Sequence, residues 1–209
     1  MVGKFKTPQE EFWAGAFGSE YIGRNASDQL LASNLNFFTK ALNQAGKISS
    51  CLELGANIGM NLKALQLLYP GIDLKGAEIN PEAARLLGEI IGEENVYHGS
   101  IFDYSVTSQV DLSLIKGVLI HINPDMLDVV YEKLYQASKK LILVCEYYNP
   151  SPVTISYRGH ADRLYKRDFA GEMLEKFSDV RLVDYGFSYS RDSVFPRDDI
   201  TWFLMEKRS

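Results

Sequence analysis

Glu53, Gly55, Asn57 and Gly59 fall at alternating positions where a short apolar run, Cys51-Leu52-Glu53-Leu54, gives way to a helical pattern. An apolar strand, a tight glycine turn and a helix N-terminus in that order build the mouth of a nucleotide-type pocket at the carboxyl edge of a parallel sheet. A dinucleotide turn reads G-x-G-x-x-G, and its middle glycine lets backbone approach a pyrophosphate. Here Asn57 takes that place, and Glu53 sits in the strand end, where its charge would repel a pyrophosphate. A ligand with an adenosine, no phosphates and a cationic amino-acid tail fits these residues better, and S-adenosylmethionine is that ligand. Glu78, closing the next apolar run, can accept both hydroxyl hydrogens of a ribose; a solvated strand-end acid is the alternative. Asn80 either reaches the adenine or ribose rim or caps the helix that Pro81 begins.

A second set of groups would surround the acceptor. Lys116-Gly117-Val118-Leu119-Ile120-His121-Ile122 ends a later strand at the same sheet edge. Lys116 and Gly117 are expected on the cofactor, Gly117 letting backbone approach the amine of the tail or the reacting methyl. His121 is placed to line the acceptor pocket as a general base or an orienting donor, with an ordinary structural histidine as the alternative. His160 and Glu146 are the lesser candidates for the base. Tyr147, Tyr148, Asn149, Tyr157, Arg158, Arg163, Lys166 and Arg167 share one polar and aromatic segment. Its guanidinium groups suit an acidic or phosphorylated small molecule, unless they pair with Asp162 and Asp168 in a salt-bridged lid. The carboxylates and histidines are not spaced as a ligand set, so no metal is expected.

These side chains need a scaffold, and the pattern supplies one. Residues 8–45 read as amphipathic helix, interrupted near Gly15 to Gly18 and at Gly23. Strands are expected at 47–54, 72–79, 95–98, 110–119, 140–146, 180–187 and 200–207, with helices at about 59–69, 81–91, 126–138 and 168–177. Strands alternating with helices mean a doubly wound, mostly parallel sheet covered on both faces. The last two strands have no helix between them and should pair as an antiparallel edge. Residues 147–168 form a long connection at the carboxyl edge, a substrate-side lid insertion.

The bulk numbers agree with one domain over 1–209, in which 1–45 form a helical cap. A net charge of −5 without a dense basic block argues against a nucleic-acid partner. No apolar run is long enough to span a bilayer, and the N-terminal residues lack the apolar core of a signal peptide. Cys51 and Cys145, both in apolar strands, suggest a reduced, cytoplasmic protein. Oligomeric state is not legible.

The E-x-G-x-x-x-G stretch from Glu53 to Gly59 resembles the first motif of class I S-adenosylmethionine-dependent methyltransferases. That resemblance implies a Rossmann-like, seven-stranded, mostly parallel sheet whose last strand is antiparallel. It also implies Gly55 backbone against the methionine portion and Glu53 ordering the loop on its cation side. Ser100, Ile101 and Phe102 would cover the adenine, with Ser100 or Asp103 at its amino edge. The N-terminal helices would cross the crevice, so that Tyr21 and Arg24 close on the methionine carboxylate.

Several stretches carry a closer resemblance: Phe12-Trp13-Ala14-Gly15, Phe17 to Asn25, Gly117 to Pro124, Tyr157 to His160, Lys166 to Glu172, Asp184 to Phe187 and Asp198 to Leu204. Together they are similar to the pseudaminic acid biosynthesis-associated methylases over essentially the whole chain. Asn57 departs from the broader superfamily, where glycine is usual. The resemblance implies methyl transfer to a small polar acceptor, a nonulosonic sugar, its nucleotide form or a precursor. Two other readings stay open: an enzyme that uses the same cofactor for attack on its own aminobutyrate chain, and a non-catalytic cofactor-binding protein.

Overall fold

The central strands of the sheet are the most apolar runs of the sequence. The structure, a computed structural model, describes residues 5–23, 27–157 and 160–208, without the side chains of 156, 157 and 160–163. Strands β1 (Ser50–Leu54), β4 (Val110–Lys116) and β5 (Ser138–Glu146) are buried along most of their length, as strands covered on both faces must be. They pair in parallel, with Leu52 opposite Ser113 and Leu114 opposite Leu143. On one flank β2 (Asp73–Glu78) and β3 (Val96–His98) extend the parallel set. On the other lie β8 (Val180–Phe187) and β9 (Thr201–Lys207), giving the order β3-β2-β1-β4-β5-β9-β8.

The last two strands pair antiparallel as expected, Gly186 facing Trp202. The final strand is not the edge, however. It slots between β5 and β8, antiparallel to both, with Trp202 also opposite Cys145.

Helices α3 (Asp28–Ala41), α4 (Met60–Leu68) and α5 (Pro81–Ile91) pack on one face, where Phe37, Phe38, Leu62, Leu65 and Leu87 meet Leu112, Leu114 and Leu143. Helices α6 (Leu127–Ala137) and α7 (Phe169–Lys176) cover the other, burying Tyr131, Leu134 and Met173 against Leu52, Leu54 and Ile142. The N-terminal cap begins with α1 (Pro8–Ala14) and α2 (Ala16–Ile22), broken at Gly15 and Gly23. Thr7 and Glu10 form a reciprocal capping box that starts α1.

The connection after β5 is more ordered than its composition suggests. It holds a hairpin of β6 (Val153–Tyr157) and β7 (His160–Lys166), with Val153 opposite Lys166. β7 packs on the 3-10 turn Leu119–His121 and buries Leu164. Among the described residues no helix is long and apolar enough to cross a membrane, and Cys51 and Cys145 are buried free thiols.

Candidate functional site

Beyond Leu54 the chain turns on three left-handed residues, Gly55 (φ 77°), Asn57 (φ 49°) and Gly59 (φ 82°). Asn57 is the one non-glycine with positive φ among the described residues. Asparagine tolerates this region because its short side chain bonds locally, and here Oδ1 accepts the Ile58 N–H at 2.7 Å. The departure from glycine therefore leaves the turn intact. A Cβ on Gly55 would lie 2.6 Å from Val118 Cγ2, so this turn packs directly on the loop after β4. Gly59 opens α4 and packs on Leu87 instead.

Glu78 ends β2 beneath the same turn. Its Oε2 accepts the Asn57 N–H and its Oε1 the Asn80 N–H, both at 2.8 Å. Burial raises its pKa, while the N–H bonds from Asn80 and Asn57 oppose that shift. The Asn80 side chain caps α5 through Glu82 and Ala83, and its Nδ2 donates to Trp13 O, Gly15 O and Ser19 Oγ at 3.2–3.4 Å. The cap alternative thus describes that side chain, and it also latches the N-terminal helices onto the sheet edge.

One cavity runs along the carboxyl edge, roofed by α1 and α2. Of the expected residues, Tyr21, Gly55, Asn57, Glu78, Asn80, Ser100, Ile101, Phe102, Lys116, Gly117, His121 and Tyr147 line it. Ser100 Oγ caps the turn 101–103 by accepting the Phe102 N–H, whereas Asp103 pairs with Lys6 at the surface. Gly117 is left-handed (φ 67°), and a Cβ there would meet nothing within 4 Å. His121 is buried and lies against Trp13, with ring centroids 4.7 Å apart.

Glu53 and Glu146 stand behind the cavity wall. Glu53 Oε1 accepts from Asn61 Nδ2 at 2.6 Å, and burial pushes its pKa up to about 8 against the pull of Asn61 and Lys116. Glu146, expected as a candidate base, accepts the Val118 and Leu119 N–H groups at 2.9 Å each. It clasps the turn that carries His121. Burial raises it to about 7, opposed by those same N–H bonds.

Of the described side chains in the polar segment after β5, only Tyr147 lines the cavity. Arg167 pairs with Glu172 at 2.6 Å rather than with an acid of its own segment, and Asp168 caps α7. Asn149 bonds to Arg167 O and Ser151 O. Tyr148 is exposed and leans on Phe203. Arg24 and Arg158 lie outside the described residues, as do the side chains of Tyr157, His160 and Arg163.

The cavity also gathers Trp13, Asn61, Arg197 and Asp198, which the sequence reading did not assign to the site. Trp13 was visible as an aromatic on an amphipathic helix, indistinguishable there from core. Arg197 carried no signal, because its neighbours come from α3 and β4. Among the described residues no group of three or more His, Cys, Asp or Glu is placed to hold a metal ion.

No family model matches the chain, and no curated protein matches it. Solved structures do. The 1,6-didemethyltoxoflavin-N1-methyltransferase of Burkholderia thailandensis, with bound 1,6-didemethyltoxoflavin and S-adenosylhomocysteine, superposes with a TM-score of 0.71 at 17% identity, covering 100% of this chain and 94% of that one. Magnesium protoporphyrin IX methyltransferase from Synechocystis PCC 6803, with bound S-adenosylmethionine, gives 0.67 at 11% identity over 100% of both chains. The mitomycin 7-O-methyltransferase MmcR gives 0.67 at 16% identity; the match covers 96% of this chain and 61% of that longer one. At these identities the likeness is one of fold. The fold is the Rossmann-like architecture of class I methyltransferases.

Proposed function

We propose that this chain is an S-adenosylmethionine-dependent methyltransferase acting on a small polar acceptor. The observation that carries the reading is Glu78, held at the end of β2 by the Asn57 and Asn80 amides. A carboxylate has about four acceptor directions; the Asn57 and Asn80 amides take one on each oxygen and the Ile79 amide also acts on it, and what remains can receive the hydroxyls of a ribose. The open left-handed Gly117 and the glycine-like turn at Asn57 leave backbone free to lie against the tail.

When bound, the cofactor supplies an electrophilic sulfonium methyl. The chain's own part is positional: to hold an acceptor in line with that carbon and keep water out. Trp13 and Tyr21 roof the cavity, and His121 is the group we assign to take the proton from an acceptor hydroxyl or ammonium. Glu146 acts through the turn it clasps, as a positioning residue.

The acceptor we favour is a nonulosonic sugar of the pseudaminic type, its nucleotide form or a precursor. Its support is the sequence resemblance, whose stretches contribute Trp13, Tyr21, His121, Asp198 and Ile200 to the cavity wall. Two buried unpaired thiols support a reducing, cytoplasmic location. The test is S-adenosylhomocysteine release over a panel of such sugars, with product mass as the second readout. A gain of one methyl with acceptor present is expected. Release without acceptor, or another mass change, overturns the reading.

A further inference from the structure

Two cations face one end of the cavity, and among the described residues neither has a carboxylate in ion-pair contact. Lys116 ends β4, and Arg197 lies in the loop between β8 and β9. The Lys116 amine and the Arg197 guanidinium carbon each lie 5.7 Å from the centroid of the Phe37 ring on α3, which places both on one patch of wall. Arg197 Nη1 donates to Asn34 Oδ1, and Asn34 Nδ2 donates to Met60 O at 3.2 Å, so the guanidinium is fixed from α3. Its Nε is buried and has no acceptor.

Among the described residues no carboxylate is within ion-pair distance of either cation; Glu53 acts on Lys116, and Asp198 on Arg197, only from farther away. Burial holds both pKa values down, and Arg197 adds to the fall of Lys116 to about 8. Like charges gathered in an enclosed wall, one with an unmet N–H, are costly until an anion joins them. With Asp198 on the same wall and Glu53, raised to about 8, mostly protonated near neutrality, two cations and one acid are balanced by a single negative charge. A carboxylate meets that count, and its two oxygens suit a guanidinium fork beside an ammonium.

We propose that Lys116 and Arg197 form a carboxylate subsite at the Asn61 end of the cavity. The inference rests on the proposed cofactor, whose amino-acid tail offers the nearest carboxylate; an acidic acceptor is the other source. It gives the loop before β9 the task that the sequence resemblance assigned to Tyr21 and Arg24. It also makes the tail, and not the nucleoside alone, a requirement for tight binding.

The test compares Arg197→Gln and Lys116→Met with the unaltered protein by calorimetry. The ligands are S-adenosylhomocysteine, methylthioadenosine, which lacks the carboxylate, and N-acetylneuraminate added over saturating S-adenosylhomocysteine. At least a tenfold loss for S-adenosylhomocysteine with methylthioadenosine unchanged is expected, and assigns the carboxylate to the cofactor. Unchanged S-adenosylhomocysteine with weakened N-acetylneuraminate keeps the subsite and assigns it to the acceptor. Equal losses for both nucleosides, or no loss for any ligand, overturn the subsite. Methylthioadenosine binding reports that each variant is folded, and if one variant fails to fold the other carries the comparison. If the unaltered protein binds neither nucleoside, the cofactor reading itself falls.

Discussion

In the proposed reading Glu78 shapes a loop and receives a ligand with the same two oxygens. Because it holds the Asn57 and Asn80 amides, its loss should disturb the turn as well as the ribose. Glu78→Ala is expected to weaken S-adenosylhomocysteine binding by about 1.5–3 kcal/mol, the range for hydrogen bonds to a charged group; unchanged affinity by calorimetry would remove it from the site. Asn57 permits a second measurement. Asn57→Gly should leave the denaturation midpoint in urea near its original value, while Asn57→Val, forced to a φ of 49°, should cost about 1–2 kcal/mol. At this scale the residues legible in the sequence were those whose task follows from local position: the glycines after β1 and the acid ending β2. Arg197 was not legible, because what defines it is Phe37, Asn34 and Lys116, none of them near it in the chain.

Helices α1 and α2 bury few residues, Gln9, Glu10 and Gly18, and Asn80 is one of the groups that hold them to the sheet edge, with Trp13 against His121. Gly18 lets them approach: a Cβ there would sit 1.9 Å from Trp13 O and 2.9 Å from Asn80 Nδ2. Gly18→Ala should therefore loosen the roof, weakening ligand binding and speeding proteolysis between residues 8 and 22 while β1 to β5 stay protected; unchanged cleavage would dismiss the latch. The parallel strands were readable as apolar runs bounded by turn residues. The hairpin after β5 had a readable half, since Val153-Thr154-Ile155-Ser156-Tyr157 alternates. Its apolar members Val153 and Ile155 are exposed, and the charged stretch beyond it gives no matching alternation. The place of β9 was unreadable for another reason: an apolar strand does not encode which neighbours it separates.

For the molecule as a whole, three buried carboxyls stand out. Glu53, Glu78 and Glu146 are all raised above the ordinary value, chiefly by burial. The folded state thus keeps protons that the unfolded chain has released above about pH 4.5, so the contribution of these three groups to stability without ligand is full below that pH and is lost towards pH 7–8. Lys116, held down to about 8, acts in the opposite sense only above that pH. Glu146→Gln, which keeps an oxygen for the Val118 and Leu119 amides, should flatten the slope between pH 4.5 and 7, by about 3 kcal/mol at most. Thermal melts across that range check it, and an unaltered slope would count against the carboxyl. One consequence of the strand order concerns synthesis. β8 pairs only with β9 in the sheet, and β9 alone joins it to β5, so in a nascent chain β8 has no partner strand until Thr201–Lys207 has left the ribosome. The loop bearing Arg197 runs straight into that strand. Strand Thr201–Lys207 thereby closes the wall beside Lys116, and a growing chain gains its grip on ligand only when the sheet is complete.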